Sequence, residues 1–167
     1  MTSFDEPAAD TADPAALFAG YLAFYRQAAV DKVTALSPED QRVPRVPSGW
    51  TPLELLNHLA FMERRWFAWG FLGEDVDEPW GDSTGHKWHL EESVTAEQIV
   101  DRLQKTAART TEILESRTLD EAGSTAGRFG ENPPSLAWIC FHVLQEYARH
   151  VGHLDIVVEL AGGPTGE

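Results

Sequence analysis

Apolar residues recur at helical spacing in four long stretches of the chain, separated by polar segments rich in Gly, Pro and Asp. Asp13-Pro14 supplies an N-cap followed by proline at the first helical position. An amphipathic run carrying Leu17, Tyr21, Phe24 and Tyr25 continues from Ala15 to about Leu36. Ser37-Pro38-Glu39-Asp40 restarts a short turn, and Val43 to Gly49 is a connector with two prolines. Thr51-Pro52-Leu53-Glu54 is a capping box that opens a second helix. That helix is predicted to reach about Phe71, with Leu55, Leu59, Met62, Trp66 and Trp69 on its apolar stripe. A second capping box, Thr95-Ala96-Glu97-Gln98, opens a third helix to about Arg117. Pro133-Pro134-Ser135 starts a fourth, which ends before Gly162-Gly163. No segment alternates as a strand would, and only short edge pieces in the connectors stay open.

This pattern predicts an all-α fold, an antiparallel four-helix bundle with long connections after its second and third helices. A single domain over residues 14–167 suits the 167-residue length, with residues 1–13 expected as a loose polar tail. The irregular segment from Gly73 to Leu90 is longer than a plain connection needs and reads as a lid or pocket wall. A solvated crossover is the simpler alternative.

Chemistry enters with the polar groups on the inner faces. In His142-Val-Leu-Gln-Glu146-Tyr-Ala-Arg-His150-Val-Gly-His153, Glu146 and His150 lie four residues apart and project from one helix face. Ile139, Val143, Tyr147, Leu154 and Val157 share that side. A carboxylate and an imidazole in an apolar stripe are costly unless something satisfies them, and a divalent metal would. His58 falls near the stripe of the second helix, close in angle to Leu55 and Met62, with Arg65 one repeat further. His58, Glu146 and His150 would form an open three-ligand site suited to zinc first, and also to nickel, iron or manganese. Glu146, His150 and His153 all binding one metal would strain the helix, so His153, which could instead replace Glu146 as a ligand, is read as a supporting or catalytic group. The competing reading is a hydrogen-bonded core histidine and a Glu–His pair facing water. His142 sits at the stripe's edge, and His86 and His89 suit a solvated loop.

Composition narrows the partners. Asp and Glu number 27 against 13 Lys and Arg, a net charge of −14 that repels phosphate backbones and argues against nucleic acid. No apolar run approaches the roughly 20 residues that cross a bilayer, and the acidic Met1-to-Pro7 segment lacks signal-peptide features. A cytoplasmic protein without membrane attachment is the expectation. The single cysteine, Cys140, excludes an intramolecular disulfide and reads as a buried small hydrophobe. Any thiol used in chemistry would arrive with a substrate. Six Trp and eight Phe suggest a well-filled interior or an aromatic-lined pocket, and Trp66 and Trp88 are candidates for the latter.

Gly49-Trp50-Thr-Pro-x-Glu54-x-x-x-His58-Leu, Glu63-Arg64-Arg65-Trp66 and Glu146-Tyr-Ala-Arg149-His150-x-Gly152-His153-x-Asp155 resemble the DinB-like superfamily. The nearest branch is that of mycothiol-dependent transferases and maleylpyruvate isomerase relatives, and the resemblance covers the chain after residue 13. It implies a four-helix bundle and a metal, usually zinc and sometimes nickel, on His58, Glu146 and His150. Many members carry His where this chain has Glu146; the maleylpyruvate isomerase type carries Glu. The expected function is a metal-dependent thiol S-transferase or thiol-assisted isomerase, with a low-molecular-weight thiol such as mycothiol attacking an electrophilic small molecule. His153 and Arg65 are the candidate catalytic residues; Arg149, Trp66 and Trp88 are the candidates for holding thiol and substrate. A hydrolase using metal-activated water and a non-catalytic, metal-stabilised binding module are the alternatives, and a homodimer stays open.

Overall fold

Each long helix starts on a side-chain cap written into the sequence. Asp13 accepts the Ala16 amide at 2.8 Å and opens α1, Pro14–Thr34. Thr51 and Glu54 cap one another's backbone amides at the start of α2, Pro52–Arg64, as Thr95 and Gln98 do for α3, Ala96–Ser116. Ser135 caps α4, Leu136–Leu160. The computed structural model describes residues 6–164, and in them these helices form a four-helix bundle. α1 packs chiefly on α4 and α2 on α3, while α2 also meets α4. Residues 1–5 of the expected tail lie outside the described residues. Of its remainder, Pro7 sits against Gly20, where an added Cβ would fall 2.6 Å from the proline ring.

The second helix reaches Phe71 as expected, but Arg65–Phe71 is π-helical. Its wider turns take more residues each, so the 3.6-residue pattern fails beyond Arg64. Trp69, expected in the apolar stripe, is only half-buried as a result. The segment after it holds a small antiparallel hairpin, β1 (Ser83–Thr84) with β2 (Lys87–Trp88), in the register Ser83 to Trp88. The connector between α3 and α4 folds back on the end of the π-helical stretch. Ser124 donates its amide to the Phe71 carbonyl at 2.7 Å, and a Cβ at Gly127 would lie 1.9 Å from the Trp69 carbonyl oxygen.

One buried carboxylate crosses the core between all four helices. Glu63 is wholly buried, and its carboxylate accepts Arg26 Nε at 2.9 Å, the Thr110 hydroxyl at 2.6 Å and the Tyr147 hydroxyl at 2.7 Å. A second Arg26 bond, from Nη2, completes a bidentate pair. The four residues come one from each helix, so this carboxylate ties α1, α2, α3 and α4 together. Burial works against the Arg26 charge, but the paired Glu63 more than offsets it and raises the guanidinium pKa.

Candidate metal centre

The seam between α2 and α4 brings three donors together. His58, Glu146 and His150 each offer an atom within 4.8 Å of the others. His150 Nε2 and Glu146 Oε2 are 3.1 Å apart. Two ligands about 2.0–2.1 Å from one tetrahedral ion would stand about 3.3 Å apart, close to that spacing. The other ring nitrogen of His150, Nδ1, is buried with no partner among the described residues. Burial first, then the neighbouring His58 and His153, hold the His150 pKa down to about 4, against the pull of Glu146. At neutral pH its imidazole is therefore uncharged, the form that can give a lone pair to a cation.

His58 is aimed by its neighbours. Its Nδ1 lies 2.8 Å from Asp82 Oδ2, which leaves Nε2 for the cluster. Asp82 in turn takes two bonds from Arg65, at 2.6 and 3.1 Å, and is itself buried. Burial pushes the Asp82 pKa up, but the His58 and Arg65 hydrogen bonds and the Arg65 charge outweigh it and hold the carboxyl below its usual range. A carboxylate behind a histidine is the arrangement that fixes tautomer and ring orientation at metal sites.

The loop supplies a cover as well. Trp88, on β2, stacks on His58 with ring centroids 4.6 Å apart and meets His150 at 5.4 Å. Trp50, from the connector before α2, stands edge-on to Trp88 at 5.9 Å and near His153 at 6.3 Å. Trp50, Trp88 and His86 line a cavity of about 270 Å³ beside the cluster. His153 is half-buried one turn beyond His150, 5.5 Å between ring centroids, and outside the three-donor group.

The family model for mycothiol S-transferase matches residues 17–163. The chain belongs to that family. A crystal structure of a DinB-like protein from Bacillus cereus shares the fold with a TM-score of 0.60, covering 89% of this chain and 95% of that one at 16% identity. No curated protein matches the chain.

In this mycothiol S-transferase family member the remaining candidates are scattered differently from the sequence expectation. Arg65, a candidate catalytic residue, is buried with Nη1 on Asp82 and the Pro79 carbonyl, so its donors already serve the His58 support. The π-helical widening turns Trp66 toward the first half of α4, where it meets His142 at 4.1 Å and Trp138 at 5.6 Å instead of joining Trp88. Arg149 is exposed on α4. His86 and His89 are exposed too, His89 near Glu91.

Three contributors escaped the sequence reading. Asp82 lies in a Gly-Asp-Ser-Thr-Gly stretch that resembles any polar turn, and only the fold sets it behind His58. Trp50 was visible in the Gly-Trp-Thr-Pro motif but carried no role. His142 stacks on Trp138 at 5.2 Å and lies tilted against Trp66 at 4.1 Å, and its Nε2 is 3.7 Å from the other oxygen of Glu146. Burial first, and then Arg128, lowers the His142 pKa against the opposing pull of Glu146.

Proposed function

We propose that this protein is a metal-dependent thiol S-transferase in which His58, Glu146 and His150 hold the cation. The observation that carries the reading is the convergence of two histidines and a carboxylate beneath Trp88, with Asp82 fixing His58. A divalent cation held there, zinc first among the candidates, supplies the Lewis acidity that makes thiolate available at neutral pH. The chain's own thiol does not compete: burial pushes Cys140 up to about 12, so at neutral pH it stays protonated and unreactive. The nucleophile is therefore a co-substrate thiol, and the family match makes mycothiol the first choice.

The side chains divide the remaining work. Glu146 would contribute a negative charge that balances the cation, and the imidazoles of His58 and His150 would complete the donor set. His153, next to His150 but outside the donor group, takes the thiol proton at a ring nitrogen. Trp50 and Trp88 exclude water from one side of the cluster and offer flat apolar faces to an electrophile. The electrophile is a small molecule, and the activity belongs to the cytoplasm, where such thiols are kept reduced.

The test is thiol-dependent consumption of an activated aryl halide, in which a carbon–sulfur bond forms and halide leaves. With metal-loaded protein, turnover is expected with mycothiol and none without thiol. Equal turnover without thiol would favour hydrolysis, and none under either condition would favour a binding module.

Asp82→Asn tests the supporting carboxylate. The amide keeps the shape but loses the charge that orients His58, so metal affinity is expected to fall about 10–100-fold. Competition against a chelating dye measures it. Wild-type affinity in this variant removes Asp82 from the assembly.

A further inference from the structure

A second cavity, of about 550 Å³, lies away from the histidine cluster, between α3 and the outer side of the second helix. Four cationic side chains line it, Arg64, Arg102, Lys105 and Arg109, against two carboxylates, Glu74 and Asp101. The chain has only 13 Lys and Arg against 27 acids, so this is a local reversal of a strongly negative molecule.

The carboxylates are already engaged. Lys105 pairs with Asp101 at 2.6 Å, and Arg109 pairs with Glu74 and with Glu112. Arg64 and Arg102 have no carboxylate partner among the described residues. Arg64 donates to the backbone carbonyl of Asp77 at 2.6 Å, and its Nε is buried with no partner. Arg102 donates to the side-chain carbonyl of Asn57, a neutral acceptor. Both guanidiniums sit 4.9 Å from the centre of the Phe61 ring, a contact that neutralises neither, and both line the one cavity.

We propose that this groove binds a small multivalent anion, a phosphate monoester or a dicarboxylate, between Arg64 and Arg102. Planar guanidiniums match carboxylate and phosphate oxygens through paired hydrogen bonds. Phe67, Val76 and Val94 give the cavity an apolar side for the carbon part of such a molecule. The two arginines also repel one another: burial first, then the Arg102 charge, lowers the Arg64 pKa, and a bound anion relieves that repulsion.

Calorimetric titration of the metal-loaded protein with inorganic phosphate and with succinate, at constant ionic strength, tests the site. At least one probe is expected to bind, and binding should weaken at least tenfold in Arg64→Gln and in Arg102→Gln. Arg117→Gln, which removes an exposed arginine paired with Glu121, should leave it unchanged. Phosphate alone would identify a phosphorylated ligand, and succinate alone a dicarboxylate; both results support the proposal. If one variant fails to fold, the other still decides. The idea fails if neither probe binds below about 10 mM, if all three variants weaken binding alike, or if His58→Ala abolishes binding, which would assign the anion to the metal centre.

Discussion

Replacing Glu63 with alanine is expected to destabilise the fold by about 3–5 kcal/mol, because it leaves the Arg26 charge buried without a counterion. Arg26, Thr110 and Tyr147 all direct donors at this one carboxylate, and Glu63, Thr110 and Tyr147 are themselves buried. Glu63→Gln should be nearly as damaging, since the amide fills the same space but cannot neutralise a guanidinium. Urea unfolding would measure both, and a loss under about 1 kcal/mol in Glu63→Gln would show that the charge is dispensable. The same network sets an alkaline limit. Complete burial first, then the Glu63 charge, raises the Tyr147 pKa well above its ordinary value of about 10. Above pH 10 the unfolded chain releases this proton while the folded one keeps it, so stability falls as pH rises through that range. The stability of wild type relative to Tyr147→Phe should therefore be constant below pH 10 and decline above it.

The helices were legible because their signals are local. Asp13-Pro14 and the boxes at Thr51 and Thr95 state where a helix begins, and the structure starts α1, α2 and α3 there. The facing pair Glu146 and His150 was legible for the same reason, being set by a four-residue spacing on one helix. What depends on two elements at once was not. Asp82 has the same local chemistry as Asp75 or Asp77, and only the path of the loop delivers it to His58 and Arg65. Arg65 shared a face with His58 in the sequence, but its partner Asp82, reached only through the loop, was invisible there. Trp66 was displaced from the expected wall by π-helical hydrogen bonding, for which a 3.6-residue template has no term. Glu63 stood in the Glu-Arg-Arg-Trp motif, yet nothing local says that three other helices point donors at it.

Removing either histidine of the proposed centre should cost more function than any other single change in the molecule. His150→Ala leaves Glu146 without its 3.1 Å neighbour and reduces three donors to two, one on each helix. Two ligands from different helices rarely retain a cation against buffer and solvent, so the variant should purify with under about a tenth of the wild-type metal, since binding needs the full donor set. Thiol-dependent turnover should fall by about a thousandfold or more, the scale expected when thiolate must form without a cation at pH 7. His58→Ala should match it, although this donor lies on the other helix and is carried by different neighbours. Stability separates this outcome from simple unfolding. His150 lies at the edge of the core and its Nδ1 has no partner, so helical content in the metal-free variant should equal that of metal-stripped wild type. Elemental analysis beside circular dichroism reads both quantities on one sample. Full metal content in both variants, with folding intact, would remove His58 and His150 from the site and leave the cation, if any, to other residues.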